Sequence, residues 1–184
     1  MKRKPDPTRK QPGRPAFTDA QSGPSLLASL SFVEQLLVWS FRMWMRQSDE
    51  SIGVLSMLKE SWRFARVEPL FGTLDSCMTI VVVTASPSLR IGVQNQPVLT
   101  LDEARLLAVL SSLQQNDIGR AKEILCSRLP CAATRIGAPV FDTLARGLGH
   151  AGHILPNRCW PLAEWDDLGS LTLESDRLFS STAH

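Results

Sequence analysis

The sequence predicts a mainly α-helical protein: a single helical bundle or helical-hairpin domain of about five or six helices, with room for a short β segment near residues 88–94 and disordered tails on either side. Three observations point there. Two capping boxes, Ser31 with Glu34 and Thr100 with Glu103, mark helix starts, because each hydroxyl and carboxylate pair satisfies backbone N–H groups that a first turn leaves without partners. Apolar residues recur at spacings of three and four through most of the middle of the chain. Pro69, Pro130 and Pro139 stand where helices begin or break. A chain of 184 residues, 43% apolar and 21% charged, fits one globular core.

The domain is placed at 25–162, between a basic tail at 1–24 and an acidic tail at 163–184. Lys2, Arg3, Lys4, Arg9, Lys10 and Arg14 against Asp6 give residues 1–16 a charge of +5. Glu164, Asp166, Asp167, Glu174 and Asp176 against Arg177 give the last 22 residues −4. Of the total of +2, the middle therefore keeps +1, too little to steer a charged partner. MKRKPDPTRKQPGRP combines charge with proline and cannot bury enough apolar surface to offset the entropy of ordering. No apolar run of secretory-leader type precedes Leu26, and cysteines at 77, 126, 131 and 159 lack the density of a disulfide-stapled fold. A cytoplasmic protein with reduced thiols is expected.

The most apolar stretch, LSFVEQLLVWSFRMWM at 30–45, starts a helix at about Phe32 behind its capping box. It is not expected to span a membrane, because Glu34 and Arg42 interrupt it and each costs about 2.5–3.5 kcal/mol at a bilayer centre. Gln35, Arg42 and Arg46 form a thin polar stripe, and Phe32, Val33, Leu36, Leu37, Phe41, Met43, Trp44 and Met45 spread over most of the rest. Most of this helix must then be covered, by its own bundle or by a partner.

Asp49 can cap a second helix through Ser51, Ile52, Leu55, Leu58, Trp62 and Ala65. Pro69 suits the first turn of a third, carrying Leu70, Leu74, Cys77, Met78 and Val81 on one face. Gly72 and the β-branched run MTIVVVTA pull residues 78–84 toward a strand, and helix is preferred. LRIGV at 89–93 alternates between Pro87 and Pro97 and reads as a short strand or extended segment. If both β readings held, ASPS would be a hairpin loop.

LTLDEARLLAVLSSLQQNDIGRAKEILCSRLP at 99–130 predicts two antiparallel helices. Leu106, Leu107, Leu110 and Leu113 face the core from the first, which stops near Gln115; Asn116 and Asp117 restart the chain. Ile118, Ala121, Ile124, Leu125 and Leu129 do the same for the second, which ends at Pro130. The outline is similar to one tetratricopeptide unit in its acidic turn residue and its small Ala121 at the helix contact. The likeness covers about thirty residues, and no second copy follows at the 34-residue period of such arrays, so no function comes with it. Farther on, Val140, Phe141, Leu144, Ala145 and Leu148 keep helical spacing, Pro139 opens this helix or kinks a longer one, and Gly147, Gly149 and Gly152 end it. Ile154, Leu155 and Trp160 in ILPNRCWPL can lay an extended segment across the bundle.

Chemistry has few candidates. Cys126, Cys131, His150, His153 and Cys159 carry zinc-ligand atoms, but spacings of C-x4-C, H-x2-H and H-x5-C match no familiar finger, and ordinary core or surface cysteines account for the same letters. There is no G-x-S-x-G elbow, phosphate-cradling loop or dinucleotide fingerprint, and Asp102 with Glu103 is explained by the dipole of a helix's first turn. Neither an enzyme nor a cofactor is expected. The expectation is a non-catalytic adaptor or regulatory protein that binds another protein or itself, with Trp39, Trp44, Arg42, Arg46, Trp165 and Leu168 as candidate contacts. A nucleic-acid regulator is the alternative, through Lys2, Arg3, Lys4, Arg9 and Lys10 in the tail and Arg120 and Lys122 on the 118–128 helix. A peripheral membrane protein is the third reading, with Trp39 and Trp44 at headgroup level and the basic tail on anionic lipid.

Overall fold

Six α-helices make up most of the residues that the computed structural model describes, 27–46 and 53–160: α1 Phe32–Arg46, α2 Gly53–Phe64, α3 Phe71–Thr84, α4 Leu101–Gln114, α5 Ile118–Cys126 and α6 Cys131–His150. Short 3-10 helices at Leu27–Ser29 and Glu68–Leu70 lead into α1 and α3. The expectations for the two tails and for Asp49, Ser51 and Ile52 in the second helix fall outside these residues. The mainly helical reading holds.

α4 is the axle of the bundle. Every residue from Asp102 to Leu113 is buried, as α5 and α6 pack along it and α1 crosses it. The sequence shows only one apolar face, so burial of the other face requires its polar residues to find partners inside, and Asp102, Glu103, Arg105 and Ser111 do. α3 lies on α6, and α1 lies on α2. One continuous core joins them, with Leu37, Leu58, Trp62, Leu74, Leu110, Leu144 and Leu148 fully enclosed. The Trp62 indole N–H donates to Ser40 Oγ at 2.8 Å, which satisfies the polar atom of the largest core side chain.

Residues 78–84 are helical, the reading the spacing favoured. Leu74, Cys77, Met78 and Val81 are buried at intervals of three and four, while Val83 is 76% exposed. β-branching costs a helix only a few tenths of a kcal/mol per residue, less than burial of one side of α3 against α6 returns. Consequently no hairpin forms, and Leu89–Val93 is an irregular loop segment, without strand pairing. Single residues also depart from expectation. Phe32 (66% exposed), Leu55 (37%) and Ile118 (43%) lie outside the core although their spacing placed them on apolar faces.

Three helices end the same way. After α2, α4 and α6 the second residue past the helix takes a left-handed conformation, Arg66 (φ 59°), Asn116 (φ 64°) and Gly152 (φ 84°). The next N–H reaches back to the third-last helical carbonyl: Val67 to Trp62, Asp117 to Ser112 and His153 to Leu148, each at 2.9 Å. Gly147 and Gly149, expected to end α6, lie inside it. Gly147 is there because a Cβ would collide with Leu70, whose Cδ1 lies 2.8 Å from where it would stand. Pro139 also sits within α6, so the longer helix is the one that forms. Beyond Gly152 the chain runs without regular structure over the bundle, burying Leu155 and Trp160 while Ile154 points out.

Candidate functional site

Most buried charge in this protein is committed to holding the fold together. The Arg42 guanidinium, 2% exposed, donates to Glu103 Oε1 from Nε (2.7 Å) and to Oε2 from Nη2 (2.9 Å). It also donates to the carbonyls of Gln96 (2.7 Å) and Val98 (2.9 Å). Glu103 in turn accepts from the N–H groups of Gly92 (3.0 Å) and Thr100 (2.8 Å), the second being its half of the predicted capping box. Next to it Asp102 accepts from the Arg90 N–H (2.8 Å), Arg105 (2.9 Å) and Arg128 (3.0 Å). Arg128 also caps the carbonyls of Pro87 and Ser88. Adjacent carboxylates at the start of α4 thus fasten the whole α3–α4 loop, a role that the dipole explanation of Asp102 and Glu103 does not include. Arg42 is therefore no member of a solvent-facing polar stripe.

A third buried carboxylate holds the other end of the chain. Glu34, 1% exposed, accepts from Arg158 Nε (2.6 Å) and Nη2 (2.9 Å) and from its own cap, the Ser31 N–H (2.7 Å). Burial pushes its carboxyl up, but the bonds from Arg158 and Ser31 and the Arg158 charge outweigh it and hold the group below its ordinary value. Arg158 also donates to the Ser29 carbonyl at 3.1 Å. Five residues earlier, His153 Nε2 donates to the Ala65 carbonyl at 2.8 Å, and its ring stands 6.1 Å from that of Phe32. Residues 153–160 thus form a strap from the end of α2 to the start of α1.

Beside this strap lies a groove of about 480 Å³ between α1 and α2. Phe32, Gln35, Leu36, Trp39 and Arg42 line it from α1, Ser61 and Phe64 from α2, and Leu27 and Gln94 close it. At 100° per residue Phe32, Gln35, Trp39 and Arg42 share one narrow sector of α1, so the face read as a polar stripe is in fact a mixed face carrying two large aromatic rings. Phe64 is 78% exposed and Phe32 66%, which is unusual for two phenylalanines around one concavity. The volume is within the ordinary range for a ligand or side-chain pocket.

The structure divides the residues singled out by sequence. Trp39 lines the groove, and Arg46, exposed at the end of α1, reaches its edge by donating to Gln94. Trp44 faces elsewhere, its indole N–H donating to Asp75 on α3 (2.8 Å). Arg120 and Lys122 sit on α5, apart from the groove lining, and Trp165, Leu168, Lys2, Arg3, Lys4, Arg9 and Lys10 fall outside the described residues. Cys131 begins α6 and His150 ends it, about 28 Å apart at 1.5 Å per residue, so these two cannot share an ion. Cys126 instead contacts Thr134 Oγ1 at 3.6 Å, and His153 is bonded to Ala65. Among the described residues no three His, Cys, Asp or Glu side chains are placed to hold a metal, and no helix is long and apolar enough to cross a membrane.

Phe64 was missed by the sequence reading, and a signal for it existed. It lies well off the face defined by Val54, Leu58 and Trp62, and a large aromatic ring on the outer side of an amphipathic helix is a surface candidate. Comparison with known proteins gives no matching family model, no matching curated protein and no matching solved structure.

Proposed function

We propose that this protein is a non-catalytic adaptor or regulator that receives an apolar segment of another polypeptide in the α1–α2 groove. One observation carries the reading: Phe32, Trp39 and Phe64 surround a single concavity, and the first and last of them are left largely open to water. Helix-flanked apolar grooves of this kind accept amphipathic segments whose anchor residues insert between aromatic walls. Ionisable groups around it support binding over chemistry, since Arg42 is fully engaged with Glu103 and backbone carbonyls. All four cysteines are unpaired, which supports a reducing, cytoplasmic setting.

The test is photo-cross-linking in the native cell with a benzoylphenylalanine in place of Phe64. A discrete protein captured at position 64, and absent when the probe sits at the exposed Glu60 instead, is the expected result. Capture of lipid or nucleic acid in its place would overturn the reading in favour of a membrane-surface or nucleic-acid role.

A further inference from the structure

We propose that the acidic C-terminal segment of the same chain, residues 163–173, is the resident occupant of the α1–α2 groove, seating Trp165 and Leu168 against Phe32, Trp39 and Phe64 until a partner displaces it; this rests on the groove being a docking site. The first support is where the chain goes. The strap runs beside the groove, from Ala65, next to Phe64, past the Phe32 ring, to Ser29, two residues from the groove residue Leu27. Arg158 is pinned there by Glu34, and Trp165 follows seven residues later. Seven extended residues reach about 23–25 Å. The groove runs along α1 from Phe32 to Arg42, about 15 Å at helical rise, so its full length lies within reach.

Chemistry and charge select this segment over its competitors. LAEWDDLGSLTL offers Trp165, Leu168, Leu171 and Leu173, with Glu164, Asp166 and Asp167 around the indole. The groove lining contains no Asp or Glu, and Arg46 stands at its edge through Gln94, whereas Arg63, which precedes Phe64 on α2, is paired with Glu60. Acidic flanks around an apolar anchor therefore meet a basic edge, at Arg46, beside an apolar cleft that has no acidic lining. The N-terminal segment enters at Leu27, also beside the groove, but its first sixteen residues carry +5 and no aromatic or leucine anchor, so the basic edge disfavours them. A second copy's tail has the right chemistry but not the proximity. A tether of a few residues confers an effective concentration in the millimolar range, well above that of free chains at micromolar concentration.

Purified full-length protein with benzoylphenylalanine at position 64 tests this, with the cross-linked peptide identified by mass spectrometry. The expected product is a monomer in which position 64 is joined to a peptide from 161–175. Its yield should fall several-fold in the full-length double variant Asp166→Lys, Asp167→Lys and at high salt, while helical circular dichroism is unchanged. A product joining two chains would overturn the inference in favour of a second copy. A product with residues 1–26, or none, would also overturn it. The groove reading is checked separately with the apolar dye bis-ANS on wild-type and Phe64→Asp protein. Dye binding in the wild type that is lost in Phe64→Asp, with no tail cross-link, rejects the tail and keeps the groove, whereas dye binding unaffected by Phe64→Asp rejects both.

Discussion

Replacing Arg42 by Met should be among the most damaging single changes in this protein, although the side chains are similar in length. The substitution removes two hydrogen bonds to Glu103 and one each to the carbonyls of Gln96 and Val98. Gln96 and Val98 are only half-buried, and water can replace part of what they lose. Glu103 has no such recourse. It is fully enclosed and keeps only the N–H groups of Gly92 and Thr100. Leaving one partner of a buried ion pair uncompensated costs about 3–5 kcal/mol, against a total stability of about 5–15 kcal/mol. For a domain of this size that lowers Tm by on the order of 10–15 °C. Urea denaturation followed by circular dichroism measures the loss, and a double-mutant cycle with Glu103→Leu separates the pair from its surroundings. The double variant should be more stable than the sum of the single losses predicts, by about 1 kcal/mol or more. A cost below about 1 kcal/mol for Arg42→Met would refute the reasoning, because that is the scale of an exposed pair.

Other outcomes follow from the same structure. Burial pushes the Cys77 thiol up to about 12, whereas Cys126, Cys131 and Cys159 are exposed, so a maleimide should label three thiols in the native protein and the fourth only on unfolding. Gly147→Ala should destabilise by about 1–3 kcal/mol because Leu70 occupies the space, and Gly72→Ala, with nothing within 4 Å, should stabilise by about 0.5–1 kcal/mol; equal effects in urea titrations would contradict the packing. Because Glu34 is held below its ordinary value of 4.5, its contribution is complete above that value and is lost as pH falls through the lower folded value. The stability difference between wild type and Glu34→Gln should therefore shrink on acidification below about 4.5, and a difference that persisted would show that the Arg158 pair is not its source.

The candidate site was only partly legible in the sequence. Trp39 was identified as a contact because large aromatic residues are rarely wasted on a surface, and it lines the groove. Trp44 carried the same signal and instead bonds to Asp75, since five residues along α1 turn it about 140° away from Trp39, toward α3. Phe32 was assigned to the covered part of α1, because a wheel shows which residues share a face and not which faces a neighbouring helix leaves bare. Arg42 was placed on an outer stripe for a related reason. Its partner Glu103 lies 61 residues away, a pairing with no local signature.

Local chemistry was enough to determine the helices themselves. Ser31 with Glu34 and Thr100 with Glu103 start α1 and α4 where the capping pattern places them, and α4 stops near Gln115 with the chain restarting through Asn116 and Asp117, as their residue types indicate. These signals act within one helical turn and so survive in a bare sequence. Tertiary structure alone decided that α4 is enclosed on every side, that Asp102 and Glu103 fasten the α3–α4 loop, and that Phe32, Trp39 and Phe64 meet around one groove. Each depends on which helix faces come together across long separations in the chain, and buried charge and surface concavity exist only once they have done so.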